Sequence, residues 1–310
     1  MNDVAIIIVT WNNASDIGRC LDSIVGIGGG IRAEISVVDN ASNDRTVDMI
    51  RNGYPHVRVT VNGQNVGFAA ANNQAIRTTD GKYVMLLNPD TSVDEGTVES
   101  LARYLDTFPN AWVAGPMILN PDRSLQTSGV RFPTRWNILV ESLFLDRLLP
   151  NTRLFGSHKE MYEDPSRPRA VDYLQGSALM VRREAIEKVG GLDEGYFMYF
   201  EEADWCFRIK KAGGEVHYAP VGKVVHYGGT AFAHFDERRL AHYHRSRIRF
   251  FRTHYSTARM LGLRPILALR SAIRLLLWGT IALVSPSKRE VAASSARGYL
   301  RVLGLLAKGM

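Results

Sequence analysis

Five consecutive apolar residues, Ala5-Ile6-Ile7-Ile8-Val9, run into Thr10-Trp11-Asn12 near the start of the chain. A β-branched run without polar alternation fits a strand buried on both faces, and such strands lie inside sheets that helices cover. The first hundred residues repeat the pattern. Ile17, Leu21, Ile24 and Val25 mark one face of a helix within residues 15–25. A strand over 35–38 ends at Asp39, a helix covers 44–52, and a third strand covers 57–61. A further helix over 67–78 precedes a fourth strand, 83–87, which ends at Asn88-Pro89-Asp90. Repeated βα units of this size predict an α/β fold with a mostly parallel central sheet flanked by helices.

Three of these strands run into polar residues: Thr10-Trp11-Asn12, Asp39-Asn40 and Asn88-Pro89-Asp90. In open parallel sheets ligands bind beyond the carboxyl ends of the strands, so the three clusters are expected to converge on one site. Capping of the following helices explains any one cluster alone. No Gly-x-Gly-x-x-Gly fingerprint follows the first strand and no P-loop pattern occurs, which argues against NAD and ATP chemistry. Prolines at 121, 133, 150, 165 and 168 interrupt residues 120–170, where either an acceptor-binding excursion or plain loop is expected. A strand-like run over 172–181, a helix over 183–189 and a helix over about 203–211 follow. The last strand covers 218–225 and runs into His226.

The net charge of +7 hides an asymmetry. From Arg238 onward there are 15 Lys and Arg against one acidic residue, Glu290, while the first 237 residues hold 23 basic and 30 acidic side chains. A basic tail that is also apolar points to an anionic membrane surface before nucleic acid. It alternates Arg with long aliphatics where stacking aromatics would be needed, so no nucleic-acid partner is expected. Between Arg274 and Lys288 only 13 residues are uncharged. That is about 20 Å of helix against a hydrocarbon core of about 30 Å. Arg270 and Arg274 lie one turn apart on one face, which predicts interfacial docking in place of a span. The alternative is a helical hairpin packed on the domain or on a second subunit of a homo-oligomer. Met1-Asn2-Asp3-Val4 shows no basic leader, and Cys20 and Cys206 are too few for a disulfide framework. A reduced, cytoplasmic location is expected.

Candidate chemistry falls on few residues. Asp39 could accept from a ribose hydroxyl or a base N–H, or serve the helix cap formed by Ser42, Asn43 and Asp44. Small residues at 67 and 69–71 let a backbone or a ligand approach the start of a helix. Asn72 and Asn73, poor helix formers, point to a nucleotide or sugar contact or to polar packing. Asp90 could give an oxygen to a hard divalent cation shared with substrate phosphates; a turn built on Asn88-Pro89-Asp90 is the alternative. Glu201, Glu202 and Asp204 follow five residues of which four are aromatic. Carboxylates beside an apolar wall gain proton affinity, as a general base near neutral pH requires, whereas the helix dipole alone accounts for an acidic first turn. His226 follows a strand and could join Asp90 as a ligand.

In order and spacing these segments resemble the family 2 inverting glycosyltransferases of the GT-A fold, in particular their rhamnosyltransferase-like branch. The matching pieces are Val9-Thr10-Trp11-Asn12, Val38 to Ser42, Asn65 to Ala69, Leu87 to Asp90 and Gly176-Ser177-Ala178. They continue with Gly191 to Glu194, Glu201-Glu202-Ala203-Asp204 and His226 to Gly229, so that the resemblance covers residues 3–230. It implies a glycosyltransferase domain over 1–235, with a nucleotide-sugar half at about 1–115 and an acceptor and catalytic half at about 116–235. A basic amphipathic helical extension occupies 236–310.

The resemblance also implies a nucleotide-diphospho-sugar donor, contacted by Thr10, Asn12, Asp39, Asn65, Gly67, Phe68, Asn72, Asn88 and Asp90. Asp90 and His226 would hold Mg²⁺ or Mn²⁺, with Asn88 standing where the family's metal motif has its first acid. Glu202 would be the general base, Asp204 its rival, and Glu201, Tyr199 and Trp205 would lie on the acceptor side. The implied reaction is a single displacement that inverts the anomeric centre. It would move L-rhamnose from dTDP-rhamnose to a hydroxyl of a lipid-linked or polysaccharide acceptor in cell-envelope glycan synthesis. The tail would hold the enzyme peripherally at the inner face of the cell membrane. A UDP-sugar donor (galactofuranose, glucose or N-acetylglucosamine) and a catalytically silent nucleotide-sugar-binding protein are the alternatives.

Overall fold

The apolar run at the start forms β1 (Asn2–Thr10), in which Val4 to Ile8 have no exposed surface. Each fully buried Ile or Val there contributes roughly 1.5–3 kcal/mol. The structure, a computed structural model, describes residues 2–25, 30–156, 158, 163–228 and 237–307. Helix α1 (Ile17–Ile24) lays Ile17, Cys20, Leu21 and Ile24 into the same core. Then come β2 (Ala33–Asp39), α2 (Thr46–Gly53), β3 (Arg58–Val61), α3 (Phe68–Thr78) and β4 (Gly81–Leu87). β1 pairs in parallel with β2 and β4, and β2 with β3. The carboxyl ends of β2, β1 and β4 therefore lie side by side.

Beyond β4 the chain forms β5 (Thr91–Val93), α4 (Thr97–Thr107), β6 (Ala111–Leu119), β7 (Leu125–Gln126) and β8 (Gly129–Val130). The proline-broken stretch is more ordered than its composition suggests. It holds α5 (Arg135–Ser142), whose Thr134 cap accepts from the Asn137 N–H at 3.1 Å, and α6 (Leu145–Leu148). The predicted run over 172–181 is two strands with different partners. After β9 (Arg169–Val171), β10 (Tyr173–Leu174) pairs with β8 in a small separate sheet, and β11 (Ala178–Arg182) joins the main one. The break falls at Gln175-Gly176-Ser177. Helix α7 (Arg183–Val189), helix α8 (Glu201–Lys211) and β12 (Glu215–His226) complete this part. α8 begins at Glu201, ahead of the expected Ala203, because acids in the first turn suit the positive helix end.

The main sheet runs β3-β2-β1-β4-β11-β6-β12-β5, with β7 on β6 and β9 on β12. The expected parallel character is present in β3-β2-β1-β4 and in β6–β12, while β11 enters antiparallel between β4 and β6. The sheet is thus mixed.

The chain divides into two units, 1–131 with 163–197 and 201–228, and 132–162 with 198–200 and 229–310. The expected boundary at 235–236 lies outside the described residues. The second unit contains α9 (Glu237–His254), α10 (Thr257–Val284), a 3₁₀ turn at Pro286–Lys288 and α11 (Arg289–Ala307). α10 packs on α11, α5 and α9, burying Met260, Leu263, Leu267 and Ser271. Segment 132–162 belongs here because α5 packs on α10.

The structure reverses the expected polarity of α10. Arg270 reaches Glu141 Oε2 at 3.3 Å, and Arg274 donates to the Glu141 carbonyl at 3.4 Å and stacks on the Phe144 ring at 3.8 Å. The arginine face is turned inward. Leu261, Leu269, Leu276 and Leu283 on the other side are exposed. By length and composition α10 is able to cross a membrane, and only 11% of its most apolar 18-residue stretch is buried. The 13 uncharged residues are bounded on one side by Arg274, which faces protein, so the apolar stretch of α10 extends past it.

Candidate active site

All three strand-end clusters meet at one edge of the first unit. Asn12, in the left-handed region at φ 55°, receives the Asn43 N–H on its Oδ1 at 2.9 Å and donates its own N–H to Ser42 Oγ at 2.8 Å. These two bonds tie the β1 end to the β2 end. Thr10 is buried and donates to Asn13 Oδ1 at 3.2 Å. Asp39 has no exposed surface; Ser42 gives it an Oγ–H bond at 2.5 Å and an N–H bond at 2.8 Å. A carboxylate offers about four acceptor positions, so two remain. Neighbouring Asn40, also buried, donates to the Gly67 carbonyl at 3.2 Å and accepts from Asn62 Nδ2 at 2.9 Å.

Gly67 is at φ 90°, where a side chain is strained, and a Cβ there would fall 2.6 Å from the Phe197 carbonyl oxygen. That carbonyl accepts the Phe68 N–H at 2.7 Å. The small residues at the start of α3 therefore admit protein backbone. Asn65 closes the turn by accepting the Gly67 N–H at 2.9 Å. Asn73 holds the Gly191–Glu194 segment, accepting from Leu192 N at 2.9 Å and donating to Leu192 O at 2.8 Å. Gly191 is needed there because a Cβ would overlap the Asn73 side-chain oxygen.

After β4 the chain turns through Asn88-Pro89-Asp90, with Thr91 Oγ1 donating to the Asn88 carbonyl at 2.7 Å. Behind the turn lies Cys20, whose thiol burial pushes up to about 12, so it is inert packing. The Tyr227 N–H donates to the Asp90 carbonyl at 2.8 Å, and this joins the β4 turn to the end of β12. His226 Nε2 stands 3.3 Å from Asp90 Oδ1. Its Nδ1 is 2.8 Å from Gln126 Oε1, and Gln126 Nε2 donates to Asn120 Oδ1 at 3.2 Å, which fixes the amide orientation. Nδ1 therefore carries the proton, and in the neutral ring the Nε2 lone pair faces a carboxylate oxygen that is buried without a hydrogen-bond partner. A Cβ on Gly228 would fall 2.5 Å from His226 Nε2 and 2.6 Å from Asp90 Oδ2, so the glycine keeps space open beside the pair.

Two acceptors facing one another beside open space suit a divalent cation. Among the described residues no third His, Cys, Asp or Glu joins them. The chain supplies two ligands, and a hard cation would take further oxygens from substrate and water. Gly229 of the same motif lies outside the described residues.

The carboxylates of α8 are strongly biased. Burial, and next the adjacent Glu202, push the Glu201 carboxyl well above the usual range. Burial raises Glu202 as well, opposed in part by hydrogen bonds from its own backbone N–H, from Glu201 and from the backbone N–H groups of Ala203 and Gly176. One oxygen of each, Oε2, is buried without a hydrogen-bond partner. Gly176 is the break between β10 and β11, and the next residue, Ser177, accepts the Asn88 N–H at 2.9 Å. Glu202 and the Asp90–His226 pair are thus linked through one short backbone path. Asp204 differs: it is buried and accepts from Arg208 Nε at 2.8 Å. Arg208 in turn donates to the carbonyls of Val189 and Gly191, both at 2.8 Å.

Over residues 5–190 the sequence matches the family described as glycosyl transferase family 2. The chain belongs to that family. This family 2 glycosyltransferase is 29% identical over 296 residues to the Mycobacterium tuberculosis N-acetylglucosaminyl-diphospho-decaprenol L-rhamnosyltransferase, covering 88% of this chain and 95% of that one. It is 30% identical over 224 residues to the rhamnosyltransferase WbbL of Escherichia coli K12, covering 69% and 77%. A crystal structure of GalNAc-T7 with UDP, GalNAc and Mn²⁺ matches with a TM-score of 0.55 at 17% identity, over 73% of this chain and 44% of that longer one. The fold is of the GT-A type.

Within the glycosyltransferase two expectations change. Trp205 was expected on the acceptor side; it has no exposed surface, and its indole donates to the Gly190 carbonyl at 2.9 Å, so it is core. Asn72 is 1% exposed and donates to the Phe68 carbonyl at 2.9 Å, a packing role within α3. Tyr199 belongs to the second unit, where its ring meets Tyr243 edge-on at 5.6 Å. Tyr199 and Phe200 both have left-handed backbone, at φ 68° and 69°. Gln126, Asn40 and Asn62 join the site by structure. Asn40 belongs to the strand-end cluster after β2, whereas Gln126 lies in the proline-broken stretch, where the sequence has no pattern to mark it.

Proposed function

We propose that this enzyme transfers L-rhamnose from dTDP-rhamnose to a hydroxyl of a lipid-linked or polysaccharide acceptor in cell-envelope glycan synthesis, with inversion at the anomeric carbon. The observation that carries the chemistry is the buried carboxyl pair at the start of α8, Glu201 and Glu202, each with one oxygen that has no hydrogen-bond partner, joined through Gly176 and Ser177 to the β4 turn. Glu202 takes the proton of the acceptor hydroxyl as that oxygen attacks the anomeric carbon and the nucleoside diphosphate leaves. One carboxylate suffices, because a direct displacement needs a base and no enzyme nucleophile. Asp204 is withdrawn from this role by its pairing with Arg208.

Asp90 and His226 would hold the Mg²⁺ or Mn²⁺; when bound, the ion supplies positive charge to the departing diphosphate. The Mn²⁺ in the GalNAc-T7 structure supports this reading. Asn12, Asp39, Asn65, Gly67 and Phe68 form the turns beside which the donor nucleotide lies. The rhamnose donor and lipid-linked acceptor are supported by the names of the M. tuberculosis and E. coli relatives. The exposed leucines of α10 hold the enzyme peripherally on the inner face of the membrane.

The test is a donor panel by calorimetry: dTDP-rhamnose, UDP-glucose, UDP-galactofuranose and UDP-N-acetylglucosamine, each with Mg²⁺ and with EDTA. The expected result is metal-dependent binding of dTDP-rhamnose over the UDP-sugars. Preferential binding of a UDP-sugar refutes the donor assignment, and binding indifferent to EDTA removes the ion from the mechanism.

A further inference from the structure

The second unit contains a cleft of about 470 Å³ between α5 and the α9–α10 corner. Its wall is apolar and aromatic, with Trp136, Leu139 and Ile266, and the Tyr255 ring at its edge. Two guanidinium groups, Arg135 and Arg259, line it as well. Both are exposed, and among the described residues no carboxylate pairs with either; Arg259 lies 5.1 Å from the Tyr255 ring. Such a combination is complementary to an amphiphile with an anionic head and a hydrocarbon body.

Beyond the cleft an exposed apolar row follows along α10. Gly262 and Ile266 of the cleft lead at helical spacing to Leu269 and Leu277, which are 44% and 41% exposed, and to Val284. From Gly262 to Leu277 the row is about 22 Å long, enough for a lipid chain that fills half of a 30 Å hydrocarbon core.

We propose that this cleft binds one anionic phospholipid of the bilayer, its phosphate on Arg135 and Arg259 and its chain along Trp136, Leu139, Ile266 and the row beyond. This rests on the membrane-association part of the function proposed above and adds a discrete site to it. The paired arginines select charge, and the apolar wall selects a lipid over a free phosphate. Trp136, 44% exposed, has the amphipathic ring that membrane-interface positions favour.

The experiment is calorimetry of the full chain with dihexanoylphosphatidylglycerol below its critical micelle concentration, beside sedimentation with vesicles of phosphatidylglycerol and phosphatidylcholine. Saturable one-to-one binding of the short-chain lipid is expected. Arg135→Gln with Arg259→Gln should weaken it by about tenfold or more, since each basic side chain near anionic lipid contributes about a fivefold effect. Gly262→Leu fills the cleft and should abolish it. Its Cβ would overlap Arg135 Nη1 and fall 2.9 Å from Arg135 Cδ, so the exposed Arg135 side chain must swing aside, while the helix gains by losing a glycine. Should it nonetheless misfold, as judged by circular dichroism, the arginine pair decides.

Arg252→Gln with Arg301→Gln, exposed arginines outside the cleft, should bind as the parent does. Equal binding of dihexanoylphosphatidylcholine, full binding by Gly262→Leu, or an equal loss in the Arg252 and Arg301 control overturns the site. Vesicle binding that survives while the short-chain lipid fails to bind rejects the cleft and leaves membrane association standing. Loss of both rejects the two together.

Discussion

In the first unit several buried polar side chains are matched to protein partners: Asp39 to Ser42, Asn73 to the Leu192 backbone, Asp204 to Arg208. The three carboxylate oxygens that are buried without a hydrogen-bond partner among the described residues lie where chemistry is proposed, on Asp90, Glu201 and Glu202. The second unit is arranged the other way round. Its arginines at 247, 270 and 274 turn inward around Glu141, and its leucines turn outward. Of the 19 large apolar side chains exposed among the described residues, 13 belong to this unit. One unit holds its unpartnered carboxylate oxygens at an edge, as a catalytic site does. The other displays apolar surface, as a docking surface does.

The largest effect should come from the first unit. Glu202→Gln is expected to lower turnover by about 10²–10⁴-fold, the usual cost of losing a positioned base, while donor affinity stays within a few-fold. Single-turnover assays beside calorimetry check both, and an enzyme of full activity would end the assignment. Asp204→Asn sharpens the contrast, because breaking a buried pair costs about 3–5 kcal/mol of stability. It should lower the melting temperature and leave turnover per folded molecule nearly intact.

Next in size is Gln126→Leu. Releasing His226 Nδ1 from its orienting partner should weaken Mn²⁺ binding by about 10–100-fold, as loss of an outer-shell bond to a ligating histidine does elsewhere. Mn²⁺ titration followed by paramagnetic resonance, with donor present, reads it directly; unchanged affinity would remove His226 from the ligand set.

The second unit is probed by Leu276→Glu with Leu283→Glu, at positions 75% and 81% exposed. A fully buried Leu contributes roughly 1.5–3 kcal/mol, so partial insertion of two predicts about a tenfold loss of vesicle binding. The melting temperature should not move, since neither side chain is packed. Removing residues 260–310 outright is a poorer probe, because it strips out the buried Leu263, Leu267 and Val302. Unchanged vesicle sedimentation by the glutamate variant would show that α10 is not the docking face.

How much of this was legible depended on whether a residue's role is local. The βα series and the strand-end clusters follow from periodicity and strand ends, which each segment carries within itself. The burial of Trp205 and the outward stripe of α10 do not. An aromatic beside acids reads as a binding wall until the helix phase is known, and Trp205 falls on the core side of α8. Arg270 and Arg274 read as a face for interfacial docking because nothing nearby in sequence shows Glu141, more than a hundred residues away. Gln126 was invisible for the same reason: its importance comes from β12, and the segment around it has no pattern of its own.

The smallest effect separates the units by the sign of their response to pH. Burial raises the Glu201 carboxyl well above the range of an unfolded glutamate, which titrates near pH 4.3. As pH rises above about 4.3 the unfolded chain releases this proton while the folded one keeps it, so stability falls until the folded group also ionises. His244 is buried with neither ring nitrogen hydrogen-bonded, and burial, then Arg247 and Arg270, hold it well below the usual histidine range. Here the unfolded chain gains the proton as pH drops below about 6.5, so stability falls with falling pH, by at most about 1.4 kcal/mol per pH unit. Glu201→Gln should therefore gain melting temperature over the parent as pH is raised from 5 to 8. His244→Phe, which also removes two unpaired buried nitrogens, should gain as pH is lowered from 7 to 5. Thermal melts across that range decide it. Parallel curves for His244→Phe and the parent would mean that His244 takes up its proton in the fold as readily as in the unfolded chain, so that Glu141 offsets the positive charge of Arg247 and Arg270 together with the burial.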